Sequence, residues 1–163
     1  YEIYPAECVE PYLGRRRRNG YDLYAALGIV KGDKAAMHQQ HARNFKFFDA
    51  PVGLIFTVDR RMARGSWVDY GMFLQNIMLA ARARGLDTCP QMAWAFYPDL
   101  IREALAVPKH QMVVCGMALG YADPDAAENR VRAEREPLES FSRFCGFAEG
   151  ADRNPSTALQ RRP

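Results

Sequence analysis

The sequence predicts an α+β fold in which helices flank a central β-sheet. Two continuous apolar runs of strand length, residues 52–58 and 112–119, indicate strands that are covered on both faces. Helix start and stop signals mark several segments around these runs. Two strands are too few for a stable sheet, so we expect further strands from upstream sequence, from a second subunit, or from both.

Length and composition fit one domain with a core, since the chain has 163 residues, of which 48% are hydrophobic and 25% charged. The net charge of +3 is too small to indicate a nucleic-acid partner. Neither a bilayer-spanning apolar run nor a signal-peptide pattern is present. The four widely spaced cysteines form no Cys-x-x-Cys pair. This pattern predicts free thiols in a reducing compartment, hence a cytoplasmic protein with no membrane partner.

The region before the first strand is expected to hold short helices. One runs into the four arginines at residues 15–18, a run typical of a solvated helix end. The dipeptide Asn19-Gly20 is expected to break it, and a second helix to span residues 21–27. Asp33 is the predicted N-cap of a further helix that continues to residue 44.

A longer helix follows the first strand, and both of its ends carry signals. Ser66 and Asp69 form a Ser-x-x-Asp start signal, and Gly85 suits a left-handed residue after the last turn. Apolar residues cover more than half of the helix circumference, which predicts burial on most sides. Gly71 in its interior costs on the order of 1 kcal/mol relative to Ala, and close approach of another backbone would explain it.

The remaining segments are assigned from the positions of Gly and Pro and from the polarity of the residues between them. Residues 87–96 are predicted to form an apolar loop, residues 99–106 a helix, and residues 128–136 a charged loop. We expect a domain over residues 1–147 and a mobile polar tail over residues 148–163.

Few residues have the spacing of a catalytic or metal site. His38 and His41 lie three apart, but no further ligand is near in sequence, so hydrogen bonding at a surface is favoured over a metal. Cys89 and Cys115 are interpreted as core thiols. The run Cys-Pro-Gln-Met-Ala-Trp from Cys89 either lines a flat ligand or packs as a buried connection, and periodicity favours packing. No side chain is assigned as catalytic, so in an enzyme the difficult chemistry would belong to a cofactor.

Four separated motifs together resemble the nitroreductase family of flavoproteins, nearest its nitrobenzoate-reductase-like branch. They are Gly-Ser-Trp-Val-Asp-Tyr-Gly-Met-Phe-Leu-Gln-Asn from Gly65, Ala-Arg-Gly-Leu-Asp-Thr-Cys-Pro-Gln ending at Gln91, Met-Val-Val-Cys-Gly-Met-Ala-Leu-Gly-Tyr-Ala-Asp-Pro from Met112, and the segment Asn129 to Phe141. The resemblance covers roughly residues 1–147. Its specificity comes from the order of the motifs, because each alone is a weak signal.

The resemblance implies a mixed or antiparallel sheet flanked by helices, in an interlocked homodimer that binds FMN at the interface. The helix from Ser66 would form the dimer. The backbone after it would border the reactive edge of the flavin, with Ala93 nearest N5. At the positions of Met92 and Ala93 many relatives have Glu-Gly, so this sequence departs from the family pattern there. The candidates for this border are Pro90, Gln91, Met92 and Ala93. The candidates for an FMN-phosphate ligand are Arg135 first, then Arg130 and Arg132.

The resemblance also implies the reaction: hydride passes from NAD(P)H through flavin to a nitroaromatic or other flat acceptor, in a ping-pong sequence. The family's Arg-x-Ser-x-Arg and Pro-Ser-x-x-Asn-x-Gln-Pro-Trp motifs do not occur here, and the first residue is Tyr1. We therefore expect an N-terminal part upstream. The alternatives are a non-catalytic dimerising fragment with an incomplete flavin site, or another reaction of the same superfamily. The aromatic-rich residues 21–48 either cover the substrate or pack in the core.

Overall fold

The computed structural model describes residues 2–143 and residue 145, so the tail expected at residues 148–163 lies outside the described residues. The described residues fall into two units, one up to residue 131 and the other from residue 132 on. The helices of the described part are α1 Tyr12–Ala26, α2 Lys34–Ala42, α3 Arg64–Arg82, α4 Pro98–Ala104 and α5 Leu138–Phe141. The strands are β1 Val52–Asp59, β2 Asp87–Gln91 and β3 Gln111–Gly120. Three short 3-10 helices are the 43–49 turn Arg43–Asp49, the 92–96 turn Met92–Phe96 and the 127–130 turn Ala127–Arg130.

The first helix corrects the expectation of two short ones. α1 is continuous over 15 residues and passes through Asn19-Gly20 without a break. Both residues have a backbone N–H, so the helical hydrogen bonds persist. The two residues only reduce the stability of the helix through their low helix propensity. α2 starts as expected, because Asp33 Oδ1 accepts a hydrogen bond from the Ala36 N–H at 2.9 Å. It ends at Ala42, where the 43–49 turn takes over from the predicted helix.

The sheet has the order β1-β3-β2 with every pair antiparallel. The two predicted strands are confirmed, whereas the predicted loop at residues 87–96 is wrong, because it contains β2 and the 92–96 turn. Pro90 is tolerated in β2 because, among the described strands, β2 pairs only with β3. The central β3 is buried from Val113 to Ala118, as predicted, while β1 at the other side of β3 is only half-buried.

α3 begins earlier than its sequence signal. The N-cap is Ala63, and Ser66 lies within the first turn, where its Oγ contacts Met62 Sδ at 3.4 Å. The predicted Ser66 cap is therefore wrong, because the helix had already started two residues before it. The other end is confirmed, since Gly85 has φ +74°. The Tyr70 hydroxyl donates to the Thr57 carbonyl at 3.0 Å and ties α3 to β1.

The outer surface of α3 is apolar, and no other described residue covers it. Side chains on it are 52–61% exposed, and they are Val68, Met72, Phe73 and Leu79. The described residues of one copy therefore do not bury α3 on most sides. A Cβ built on Gly71 meets no atom within 4 Å. None of the helices in residues 2–143 combines the length and hydropathy needed to cross a bilayer.

Candidate functional site

The segment predicted to border a ligand lies where β2 passes into the 92–96 turn. Gln91 is the last residue of β2, and Met92 and Ala93 open the turn. Gln91 is 2% exposed and Ala93 9% exposed, whereas Pro90 is exposed and Met92 half-buried. The first N–H groups of a 3-10 helix have no carbonyl within it to bind. The segment thus offers backbone donors on a fixed strand end.

Gln91 ties this segment to the 43–49 turn. Its Nε2 donates to the Asn44 carbonyl at 2.8 Å, although the two residues are 47 positions apart. Burial of the Gln91 amide makes this hydrogen bond costly to lose, because an unpaired buried group keeps its desolvation penalty. The hydrogen bond therefore fixes the spacing between the end of β2 and the turn.

Trp94 packs the 92–96 turn against the sheet, at a place where two glycines leave room for aromatic rings. Its ring stacks on Phe47, with centroids 4.6 Å apart and planes 24° apart. Phe45 contacts the same ring edge-on at 5.4 Å. Trp94 lies against Gly116 and Phe47 against Gly53, so closely that a Cβ on either glycine would overlap the ring. The β1–β3 register places both glycines on one sheet face, which makes room for the stacked pair.

The 43–49 turn adopts an unusual backbone to present Phe47. Three consecutive residues have positive φ, 51° at Phe47, 53° at Phe48 and 64° at Asp49. Each such non-glycine residue costs on the order of 1 kcal/mol or more, so the surroundings must hold it in place. Beside the turn, Arg43 Nη1 lies 2.7 Å from Glu128 Oε1, and the Arg43 guanidinium lies 5.8 Å from the centroid of the Phe48 ring.

Two polar side-chain atoms at this place are buried without a hydrogen-bond partner in the described part of the chain. Among the residues that the structure describes, the buried Gln91 Oε1 and Trp94 Nε1 have no hydrogen-bond partner. Buried polar groups in native proteins are nearly always paired. One is an acceptor and the other a donor, and both are closed off from solvent, so a bound molecule would reach them only if the 92–96 turn moved.

The three candidate arginines are exposed and fall into two units. Arg130 ends the 127–130 turn of the first unit. Arg132 and Arg135 belong to the second unit, where Arg135 Nη1 donates to the Ala133 carbonyl at 3.1 Å. The segment expected to be a charged loop is thus helical only at the 127–130 turn. Phosphate binding by these arginines stays a prediction.

The histidines and cysteines add no metal site in residues 2–143 and 145, where no cluster of metal-ligating side chains occurs. The His41 ring lies edge-on to Phe45 at 5.8 Å. Cys115 is a core thiol as expected, and burial raises its pKa. Cys89 is exposed, so its interpretation as a core thiol is wrong. Its strand lies at the side of the sheet, with a neighbour on one side only.

The chain is similar to known proteins in sequence and in fold. The sequence model of the nitroreductase family matches residues 14–121. The 4-nitrobenzoate reductase of Pseudomonas putida is 45% identical over 143 residues, which cover 88% of this chain and 63% of that protein. The nitrobenzene nitroreductase of Ectopseudomonas oleovorans is 46% identical over 144 residues, with the same shares. The crystal structure of the FMN and NADPH-dependent nitroreductase NfnB from Sphigopyxis sp. strain HMH matches with a TM-score of 0.87 and 39% identity, over 90% of this chain and 66% of that one.

The chain spans 63% of the length of the two curated relatives. The matched range 14–121 nevertheless includes the whole sheet, α3 and the 92–96 turn. The likeness to NfnB confirms the predicted α+β fold with an antiparallel sheet. With more than half of its residues inside the family model, the chain belongs to the nitroreductase family.

Proposed function

We propose that the protein is an FMN-dependent oxidoreductase that transfers reducing equivalents from NAD(P)H to nitroaromatic compounds or other flat acceptors. The observation that carries the proposal is the segment Pro90–Ala93 at the end of β2, which the Gln91–Asn44 hydrogen bond holds in place. Relatives support it, since two of the matched proteins are a 4-nitrobenzoate reductase and an FMN and NADPH-dependent nitroreductase.

The chain's own part in this reaction is to hold and orient. FMN, when bound, supplies the hydride chemistry at N5 of its isoalloxazine ring. We expect Pro90, Gln91, Met92 and Ala93 to border that ring, with the Ala93 N–H as a hydrogen-bond donor to it. The Gln91–Asn44 hydrogen bond and the Trp94–Phe47 stack hold this segment in position against the 43–49 turn. NAD(P)H and the acceptor would use the same place in turn, a ping-pong sequence.

The proposal includes a homodimer built on α3. The exposed apolar side chains Val68, Met72 and Leu79 recur at helical spacing on one side of that helix. Exposed apolar surface of this kind marks a protein–protein contact. Gly71 on the same helix has open space at its Cβ position, which would let the backbone of a partner approach closely.

The proposal also assigns the FMN phosphate to an arginine near the C-terminal end of the family domain. Arg135 is the first choice, and Arg130 and Arg132 are the alternatives. All three are exposed, and a guanidinium matches a phosphate with two parallel hydrogen bonds. The part of the relatives that this chain does not span could supply further ligands.

Two matched substitutions test the flavin border. Ala93→Val and Ala95→Val add the same atoms at two buried sites of the 92–96 turn, and only the first lies in the proposed border. We expect Ala93→Val to weaken FMN binding by about tenfold or more, corresponding to at least about 1.4 kcal/mol, while Ala95→Val keeps the affinity within about twofold. Equal effects of the two substitutions would contradict the border at Ala93.

A direct assay tests the activity. FMN is titrated into the purified protein, and the bound yellow species is then exposed to NADPH or NADH and to 4-nitrobenzoate. Bleaching by the nicotinamide and recolouring by the acceptor support the proposal. A protein that contains the complete family domain and stays colourless in saturating FMN would refute it. A dimer without flavin would identify this chain as a non-catalytic fragment, and recolouring without a reduced nitro product would indicate another flavin reaction.

A further inference from the structure

Each of the three left-handed residues in the 43–49 turn is held by a side-chain contact. Phe47 is held by its stack on Trp94. Phe48 and Asp49 share one partner, Arg43, which is the first residue of the turn. The Arg43 guanidinium lies 5.8 Å from the centroid of the Phe48 ring, and Arg43 Nη2 lies 3.7 Å from Asp49 Oδ2. Because left-handed residues other than glycine are costly, the conformation of the turn depends on these contacts.

Glu128 fixes the side chain of Arg43. Its Oε1 lies 2.7 Å from Arg43 Nη1, although the two residues are 85 positions apart. Both side chains are more than half buried, so salt screens this ion pair less than an exposed one. The 127–130 turn that carries Glu128 is closed by Asn129, whose Nδ2 donates to the Asp123 carbonyl at 2.9 Å. The position of Arg43 is therefore determined from outside the 43–49 turn.

The same turn reaches the proposed flavin border through the residue that follows Arg43. The Asn44 carbonyl accepts the hydrogen bond from Gln91 Nε2 at 2.8 Å. Gln91 is itself part of the border, and Met92 and Ala93 follow it directly. A change at Arg43 therefore reaches the border through Asn44 and its hydrogen bond to Gln91.

We propose that Arg43 and Glu128 are positioning residues for the flavin border. Their ion pair keeps the 43–49 turn in the conformation in which the Asn44 carbonyl binds Gln91, and it thereby keeps the Ala93 N–H in place. The pair acts through Asn44 and Gln91 and not by contact with the flavin. This inference rests on the proposed function, because the border has a role only if FMN binds there.

Three variants and one control test the role of the pair. Arg43→Gln and Glu128→Gln each remove one charge, and the double variant removes both. Arg82→Gln is the control, because it breaks an ion pair of the same length at the opposite end of β2, where Arg82 Nη1 lies 2.7 Å from Asp87 Oδ1. Unfolding midpoints verify that each variant is folded. Glu128→Gln preserves the size of the side chain, so it keeps the test decisive if Arg43→Gln does not fold.

The first measurement is native-state hydrogen exchange of the flavin-free protein. We expect the protection of residues 45–49 to fall about tenfold or more in Arg43→Gln and in Glu128→Gln, while the protection of β3 changes less. Arg82→Gln should leave the protection of residues 45–49 unchanged. A fall that β3 shares equally would overturn the proposal, because it would reflect global stability and not the turn.

The second measurement is the rate at which NADPH reduces the bound flavin, followed by stopped flow at saturating FMN. We expect this rate to fall about threefold to tenfold in either single variant and not in Arg82→Gln. The double variant should lose no more than the single ones, because all three break the same contact. A merely structural role would lower the unfolding midpoint and leave the rate of the folded, FMN-saturated protein unchanged.

The outcomes separate this inference from the proposed function. Wild-type protein that binds no FMN would refute the proposed function and this inference with it. Bound FMN that both single variants reduce at the wild-type rate would refute only the positioning role. Losses that add up in the double variant would also overturn it, since they would show that Arg43 and Glu128 act independently.

Discussion

The contact between Trp94 and Gly116 makes Gly116→Ala the most informative single substitution. The new methyl group would overlap the Trp94 ring at Cδ1. The ring has little freedom to retreat, because Phe47 stacks on one face and Phe45 contacts it edge-on. The clash thus involves a packed aromatic cluster and not the end of a flexible side chain.

The expected loss of stability follows from this packing. Overpacking a core costs about 1–3 kcal/mol, and the immobility of Trp94 favours the upper end. Replacing a strand glycine by Ala returns about 0.5–1 kcal/mol. We therefore expect Gly116→Ala to lower the free energy of unfolding by about 2 kcal/mol, or the thermal midpoint by about 4–8 °C for a chain of this size. Denaturant unfolding followed by tryptophan emission measures it.

Two comparisons make the result decisive. Gly20→Ala introduces the same methyl group in α1, where no atom lies within 4 Å, and should stabilise by about 0.5–1 kcal/mol. In a Trp94→Leu background the penalty of Gly116→Ala should largely disappear, which a double-mutant cycle detects as coupling of at least about 1 kcal/mol. A Gly116→Ala variant as stable as wild type, or a cycle without coupling, would refute the reasoning.

Three further predictions address the dimer, the phosphate ligand and the core. Met72→Glu on the apolar side of α3 should raise the dimer dissociation constant, measured by sedimentation, at least about tenfold. Val9→Glu changes a similarly exposed apolar residue outside α3 and should leave this constant unchanged. An equal change in both variants would contradict the α3 interface. Arg135→Gln should weaken FMN binding by about 10–100-fold and leave riboflavin, which lacks the phosphate, nearly unaffected; equal losses for both flavins would exclude a phosphate contact. Burial raises the pKa of both the Cys115 and the Cys89 thiol, so the difference between them is one of access: iodoacetamide at pH 8 should alkylate the exposed Cys89 first and reach the buried Cys115 only on unfolding, and equal labelling rates by mass spectrometry would contradict this burial.

The sequence predicted the strands whose state is determined by their own composition. β1 and β3 are long apolar runs, and both were identified within one or two residues. β2 has the sequence Asp-Thr-Cys-Pro-Gln, which carries no strand pattern. Its extended conformation comes from hydrogen bonds to β3, a tertiary effect that composition does not contain. Likewise, Asn19-Gly20 resembled a break, yet the rest of α1 carried the helix through it.

The sequence offered a segment for the candidate site, but it did not predict the contacts that hold that segment in place. The motif ending at Gln91 indicated the segment Pro90–Ala93, whose role stays a prediction. The contacts that hold this segment come from Asn44 and Phe47, more than 40 residues away in sequence. No local pattern pairs these residues, and the positive φ of Phe47 is one that its residue type rarely adopts.

The backbone of the 43–49 turn has a consequence for the order in which the molecule assembles and opens. Three successive left-handed residues are not populated in an isolated peptide, so Phe47 can settle only after β1 and β3 present Gly53 and Gly116. The turn should therefore form after the sheet and open before it. In native-state hydrogen exchange, amides of residues 45–49 would then exchange through local opening, while those of β3 wait for global unfolding. The 43–49 turn behind the proposed flavin border is thus expected to open at a lower free energy than the sheet on which it packs.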